Sequence, residues 1–573
     1  MTTALTVLLL AVPSGAPAPL LPGFHRSPWF GEQVREQWVE GDVRAVVNVA
    51  ADFDAGRPTR LVVFATPNGN SIEQTLGCGT APGQDWHFDI QHVAAQVRRY
   101  REVAPGTNVV LACIEAEGLS WPAWRKRHAD APARARRVVD WLKALVPTPN
   151  VHVTLTGHSG GGSFVFANID AADAIPAEVE SISFLDSNYS YSDESKHGDK
   201  LLAWLRGDEK RRLHVVAYDD REITLNGKKV VGPDGGTFRA TRRMLDRLRK
   251  DIDIAETKAG DFAVYSGLGG RFTAHVHANP KNAILHTTLV GEMNGLLHVL
   301  AVGDATWGTF GGPRAYTKWV QPAPGIPPRP AGAPGGAAFM ASIAALPREA
   351  REEAIAVELC RGNVPDFLRK FQPITVKATD SAGRQHTATY EVMPDYLAVG
   401  TDADFVRVPM SPLTAQRIAD AFGCVLPTRK VVDDAYRQAA VKLDPVPLTE
   451  AREAVETFVR HNGQIERQRA GILPPVNRRG LIAGIKKDVV VTNRLGERPN
   501  RVAIYGWHKP DGTPIQPLSI VHVNWYVDYS HGVRLMKRVL VVDGKPRDVR
   551  PVLHAADLCG LLSDEGPINF PSY

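Results

Sequence analysis

The stretch from Val151 to Ile169, VHVTLTGHSGGGSFVFANI, constrains this chain more than any other. Val151 to Thr156 is β-branched and apolar, as a buried strand is. A glycine-lined turn carries Ser159, and an apolar, helix-compatible run leaves that turn. Gly157-His158-Ser159-Gly160-Gly161 satisfies the G-x-S-x-G pattern of a nucleophile elbow. The reason for the spacing is steric. A serine on a sharp strand-to-helix turn needs small residues two positions either side, so that neighbouring backbone can come close. The new helix N-terminus then sets free N–H groups and a positive dipole end beside the hydroxyl.

A chain of 573 residues exceeds a single core, so about two to four domains are expected. Hydrophobic residues at 44% and charged residues at 23% indicate folded rather than disordered chain. The net charge of +5 is spread over both halves without a Lys/Arg run, which argues against nucleic acid or an anionic membrane as partner. Ala4 to Val12 is an apolar run followed by an Ala-x-Ala exit at Ala16-Pro17-Ala18, so residues 1–20 read as a signal peptide or apolar leader. A secreted or periplasmic location is the expectation, although the basic start of such leaders is missing. No stretch approaches the length of a membrane span. Five scattered cysteines (Cys78, Cys113, Cys360, Cys424, Cys559) lack C-x-x-C pairs, and their odd number leaves at least one unpaired.

Residues 25–312 alternate short apolar strands with amphipathic helices. Strands are expected over Asp42–Ala50, Arg60–Thr66, Asn108–Ile114, Ser181–Leu185, Leu213–Tyr218 and Ala283–Val290, and helices over Asp85–Tyr100, Ala133–Val146 and Phe238–Arg249. That alternation predicts an α/β fold, with a mostly parallel sheet covered on both faces and its ligand site beyond the carboxyl ends of the strands. The aromatic clusters Trp86-His87-Phe88, Trp121-Pro122-Ala123-Trp124 and Ser187-Asn188-Tyr189-Ser190-Tyr191 fall near that mouth, as rim packing or as a stacking surface.

With the elbow in this setting, the first half resembles the α/β-hydrolase superfamily over roughly residues 40–310. The resemblance implies a Ser–acid–His triad in that chain order, and no cofactor or metal. Ser159 matches the nucleophile. Asp220, closing LHVVAYDD, matches the acid, with Asp219 and then Asp186 as alternatives. His298 matches the histidine, following a last strand over ILHTTLV and its loop. His286 falls inside that expected strand as a core histidine and is the fallback base, while His275 and His277 in AHVH fit an edge strand or hairpin arm. The oxyanion donors implied are the N–H of Gly160 and a group in Pro67-Asn68-Gly69-Asn70, where Asn68 and Gly69 stand in place of the family's frequent His-Gly pair.

Residues 313–338 include Gln321–Ala337, with six prolines and four glycines, and read as an extended, semi-rigid linker. Residues 339–573 change to an α+β pattern. A hairpin is expected around Asp380-Ser381-Ala382-Gly383, and a helix from the Ser411 cap to Gly423. Helices are expected over Lys430–Val441 and Thr449–Arg469, and strands in KKDVVVTN, RVAIYGW and SIVHVNWYVDYSHG. In the last of these, Val521, Val523, Trp525, Val527 and Tyr529 alternate with His522, Asn524, Tyr526, Asp528 and Ser530. The polar set reads as a solvated outer face, with a metal at His522, Asp528 and His531, or a groove for a glycan or peptide, as functional alternatives. Two function classes follow. One is a serine hydrolase acting on a small-molecule or polymeric ester, less readily an amide, through an acyl-enzyme. The other is a secreted binding protein whose hydrolase-like half is silent and whose function lies in the second half.

Overall fold

The computed structural model describes residues 19–81, 83–472 and 480–573. The leader reading lies outside the described residues except at Pro19 and Leu20. The first half is built on one eleven-stranded sheet. Its strands are β1 (His25–Arg26), β2 (Gln33–Val39), β3 (Val43–Val49), β4 (Thr59–Ala65), β5 (Asn108–Ala116), β6 (Val151–His158), β7 (Val179–Leu185), β8 (Arg212–Tyr218), β9 (Ile254–Ala259), β10 (Phe262–Gly267) and β11 (Phe272–His277). Their order is β1-β2-β3-β5-β4-β6-β7-β8-β11-β10-β9. The central run from β5 to β11 is parallel, and both flanks are antiparallel. This large mixed sheet with helices on it fits an α/β-hydrolase-like arrangement.

Alternate residues of one strand enter different cores, which is why these strands read as continuous apolar runs. In β4, Leu61, Val63 and Ala65 join one cluster, with helices α3 (Trp121–Arg127), α4 (Ala131–Ala144), α5 (Gly162–Asp170), α6 (His197–Gly207) and α7 (Thr237–Leu248). Val62 and Phe64 join the other, under α1 (Ile72–Leu76), α2 (Val93–Val103) and α8 (Gly295–Leu300). Trp121 and Trp124 are fully buried members of the first core rather than part of a rim.

Two expectations change in ways that matter for function. The helix expected over Asp85–Tyr100 is a 3-10 turn at Trp86–Asp89 and then α2, separated by His92 in a left-handed conformation (φ 49°). The last parallel strand is β11, not Ala283–Val290. Residues 283–290 form a loop and turns. The alternating FTAHVH is an interior strand, bonded in parallel to β8 and antiparallel to β10.

The second half is rich in antiparallel sheet. The expected hairpin is present as β12 (Gln372–Thr379) and β13 (Gln385–Val392), with Asp380 accepting from Ala382 and Arg384 backbone N–H at 2.9 and 2.8 Å. Helix α9 (Gly336–Ile343) and α10 (Arg348–Cys360) precede the hairpin, and α11 (Pro412–Phe422) starts at the Ser411 cap and ends at Gly423 (φ 67°). Helices α12 (Arg429–Gln438) and α13 (Val455–Ile472) follow, and then a four-stranded sheet of β14 (Lys487–Val489), β15 (Ile504–His508), β16 (Pro514–Ser519) and β17 (His531–Gly532).

The proline-rich stretch carries neither helix nor strand from Gln321 to Gly335, and it is tied down along its length. Gln321 O accepts from Gly79 N–H at 2.7 Å, while Gly325 N–H donates to Ala421 O at 2.9 Å and Arg369 donates to Pro327 O at 2.7 Å. Each half thus holds one end. The cysteines form no disulfide, and burial pushes the Cys78 thiol upward in pKa. Among the described residues no helix is long and apolar enough to cross a membrane.

Candidate active site

Strand β6 delivers Ser159 into a left-handed backbone conformation (φ 53°) at the start of a 3-10 turn that continues as α5. A non-glycine residue in that region is strained, and surrounding packing must hold it there. The glycines supply that packing. A Cβ on Gly161 would lie 2.2 Å from Ala65 O, and one on Gly160 would lie 2.0 Å from Asn68 Oδ1. The elbow is therefore pressed against the end of β4 and its following loop, leaving Ser159 half-buried at the carboxyl edge of the sheet.

Asp186 lies at the same edge, one strand over. Leu185 pairs with His158 across β6 and β7, so Asp186 follows β7 as Ser159 follows β6. It too has a left-handed backbone (φ 47°) and is fully buried. One carboxylate oxygen accepts from Thr237 Oγ1, at the start of α7. The other accepts from His286 Nδ1 at 2.5 Å. His286 stands in the loop after β11, its side chain 25% exposed. Its ring packs against that of His158, the residue before Ser159, at 4.4 Å between centroids, and Tyr189 meets it edge-on at 6.5 Å. Among the described residues no hydrogen bond joins Ser159 Oγ to His286 Nε2.

His158 pins the histidine loop. Its Nε2 donates to the backbone O of His286 at 3.0 Å. Burial first, then His286, holds the His158 imidazole well below its usual pKa and hence neutral. An Nε2–H tautomer leaves Nδ1 as acceptor. The amide of Gln91, 3.2 Å from Nδ1, then offers its NH2 end there, which also gives a partner to the otherwise orphaned Gln91 Nε2.

The other sequence-derived candidates are held elsewhere. His298 stacks on Phe310 at 4.4 Å and 13°, its Nε2 is 3.5 Å from His275 Nδ1, and no carboxylate meets it. It is carried by α8, beside the core on the opposite sheet face from α5. Burial, then His275, holds it far below the usual histidine pKa. The expected pairing of His298 with Asp220 is not formed among the described residues. Once β11 is the last parallel strand, the loop after it carries His286. Asp219 is taken by a two-pronged contact with Arg221 at 2.8 and 2.6 Å. Asp220 accepts from Thr237 N–H at 2.8 Å and touches no histidine. Its neighbourhood does include Asp186: burial, then the Asp186 charge, pushes Asp220 up to about 6. Of the three candidate acids, only Asp186 meets His286.

Of the expected oxyanion donors, Gly160 remains at the elbow, with the Asn68 side chain directly against it. Gly69 drops out, because its N–H donates to Leu119 O at 2.8 Å. Asn70, 8% exposed and the last residue of the loop named from sequence, has a buried Nδ2 without a partner. Thr237 and Gln91 lie in no motif, and His158 fills a position that the elbow pattern leaves open to any residue. A serine on a strained turn and, near it, an imidazole held by a buried carboxylate are groups that acyl transfer can use.

No family model matches the chain, and no curated protein sequence matches it. Similar solved structures include a glucuronoyl esterase from Solibacter usitatus, 13% identical over 52% of this chain and 88% of that one, with a TM-score of 0.29. A thermostable esterase is 14% identical over 45% of this chain, with a TM-score of 0.26, and the match spans only 55% of that protein's length. A siderophore hydrolase from Aspergillus nidulans is 10% identical over 50% of this chain and 96% of that one, with a TM-score of 0.25. Likenesses this distant carry no information about what this chain does.

Proposed function

We propose that this protein is a serine hydrolase cleaving an ester, in which Ser159 is the nucleophile, His286 the general base and acid, and Asp186 the group that orients His286. The single observation carrying this reading is the 2.5 Å contact of His286 Nδ1 with the buried Asp186 carboxylate, beside the elbow that bears Ser159.

In the first step Ser159 Oγ attacks the acyl carbon while His286 Nε2 takes its proton. The negative oxygen of the tetrahedral intermediate is received by the Gly160 N–H and by the side-chain amide of Asn68, with Asn70 as the alternative side-chain donor. Asp186 fixes the tautomer with the proton on Nδ1 and stabilises the imidazolium. His286 then returns the proton to the leaving alkoxide, which departs as an alcohol and leaves an acyl-enzyme. Water, deprotonated by His286, releases the acid and regenerates Ser159. An ester is preferred to an amide because the superfamily that the elbow resembles leans that way.

Hydrolysis of p-nitrophenyl acetate tests the assignments. His286→Ala is expected to lower kcat by about 10⁴–10⁶. Asp186→Asn is expected to lower it by about 10⁴, because the amide favours the wrong tautomer. His298→Ala should leave kcat near that of the native protein. Full activity in His286→Ala would overturn the reading.

A further inference from the structure

The segment read from sequence as an alternating strand, residues 520–530, is not one: its backbone is irregular, with a single isolated bridge at Val523. Nor does its burial alternate: Val527 and Tyr529, expected on the apolar face, are buried together with Asp528, Ser530 and His531. Val521 and Trp525 are 64% and 50% exposed, whereas Asp528, Ser530 and His531 are at most 1% exposed. The polar residues point into the second half, where β14 runs parallel to β17 and pairs Lys487 with His531.

The interior they reach is crowded with hydrogen-bond donors around one carboxylate. Asp528 is already satisfied. It accepts from Ser530 N–H at 2.8 Å and from Ser530 Oγ, and its other oxygen accepts from Arg452 Nη2 at 2.5 Å and Tyr526 OH at 3.1 Å. The remaining groups have nothing comparable. Both ring nitrogens of His531 are buried without a partner, the nearer lying 4.0 Å from Asp528. Arg452 Nε is buried and unpartnered as well. The Lys487 ammonium lies 5.2 Å over the Trp507 ring rather than against a carboxylate, and buried Lys486 donates only to the backbone O of Tyr529. Burial, followed by the Arg407 charge, lowers Lys486 to about 7 against the opposing pull of Asp528 and Asp395. The outer edge is aromatic: His522 stacks on Tyr526 at 4.2 Å, and Trp525 lies under Arg348.

A buried donor left unpaired is expensive, and a full complement of them around a saturated carboxylate calls for further acceptors. A metal ion does not answer that need. Among the described residues no group of three or more His, Cys, Asp or Glu is arranged to hold one, and the neighbouring ammonium and guanidinium groups repel it. An oxyanion does, because each of its oxygens accepts from several donors and its charge offsets the local excess of cations.

We propose that this corner of the second half binds a small organic oxyanion, a carboxylate or phosphate monoester, whose charged end is held by Lys487, Arg452 and His531 and whose body rests on the His522–Tyr526 stack. The site is separate from Ser159 and does not depend on the hydrolase reading.

Calorimetric titration of the full-length protein with benzoate and with phenyl phosphate tests the proposal and distinguishes the two oxyanions. At least one probe is expected to bind with a Kd on the order of 1 mM or tighter. Lys487→Met should weaken that binding about tenfold or more, and His531→Gln likewise. His522→Ala, at a half-exposed position, should weaken binding even if the His531 variant fails to fold. Ser159→Ala should bind as the native protein does. Binding of neither probe, an affinity unchanged in Lys487→Met, or loss of binding in Ser159→Ala would overturn the proposal.

Discussion

Asp186 and Asp220 share one threonine and have opposite surroundings. Thr237 gives its hydroxyl to Asp186 and its backbone N–H to Asp220, so two carboxylates sit close together in a buried corner. Asp186 has His286 as a further donor, whereas Asp220 Oδ1 is buried without any partner. The asymmetry explains why Asp220 is raised from 3.8 to about 6. The sign of the consequence follows. Well below its ordinary value of 3.8 Asp220 is protonated in both folded and unfolded chains and has no effect on the pH dependence of stability. As pH rises through about 6 the folded state must give up a proton it holds tightly, and stability falls by up to about 3 kcal/mol relative to a neutral residue. Asp220→Asn is therefore expected to raise Tm near pH 7.5, with the gain shrinking towards pH 4; a constant difference across that range would contradict the account. The acid was ambiguous in sequence because Asp186, Asp219 and Asp220 all follow apolar strands, and only the fold decides which of them meets an imidazole.

Among the elements, the elbow turn was legible because its glycines are demanded by close contacts: Gly157 and Gly161 face backbone, and Gly160 faces the Asn68 side chain. Gly161→Ala would set a methyl 2.2 Å from Ala65 O, and is expected to cost about 1–3 kcal/mol or more in urea denaturation. Gly106, with no atom near its would-be Cβ, is the control, and Gly106→Ala should fall within about 1 kcal/mol of the native protein. Equal effects of the two substitutions would mean that the elbow is not tightly held. The final strand was misread for a physical reason. ILHTTLV has the composition of a buried strand, but its apolar residues Leu289 and Val290 pack from a turn against the α2 and α8 core. FTAHVH alternates like a half-exposed strand, yet it is interior, because its histidines find room beside Phe262 and His298. A misplaced strand put the loop that follows the last parallel strand at His298, whereas that loop carries His286. Similarly, a period of two in residues 521–530 matches a strand, but Asp528 and Ser530 satisfy each other locally and leave no need for sheet pairing there.

Across the whole molecule, the halves meet through buried charge rather than through a free linker. Arg44 on β3 holds Glu36, Glu73 and Glu115 at 2.9, 2.8 and 2.7 Å. From the second half, Arg550 pairs with Glu36 at 2.6 Å and Arg538 with Glu73 at 2.6 Å. Burial alone would raise Glu73, but Arg44 and then Arg538 outweigh it and hold the carboxyl well below its usual range. Trp38 stacks on His554 at 3.8 Å and 4° beside this network. Removing one member of a buried ion network leaves its partner desolvated and costs about 3–5 kcal/mol. Arg550→Met is therefore expected to lower Tm and to split a single calorimetric transition into two, one per half. A single transition at unchanged Tm would show that the halves are coupled by other contacts. Proline content alone suggested a spacer, since composition reports stiffness and says nothing of the bonds that Gln321 and Gly325 make at its two ends.

Covalent labelling with a fluorophosphonate probe is the sharpest test of the proposed reactive Ser159 served by His286 and Asp186. The native protein is expected to be labelled on Ser159, Ser159→Ala to show no labelling, and His286→Ala to be labelled far more slowly, while His298→Ala keeps the native rate. Folded native protein that takes up no label, or a label carried by another residue, would contradict the account.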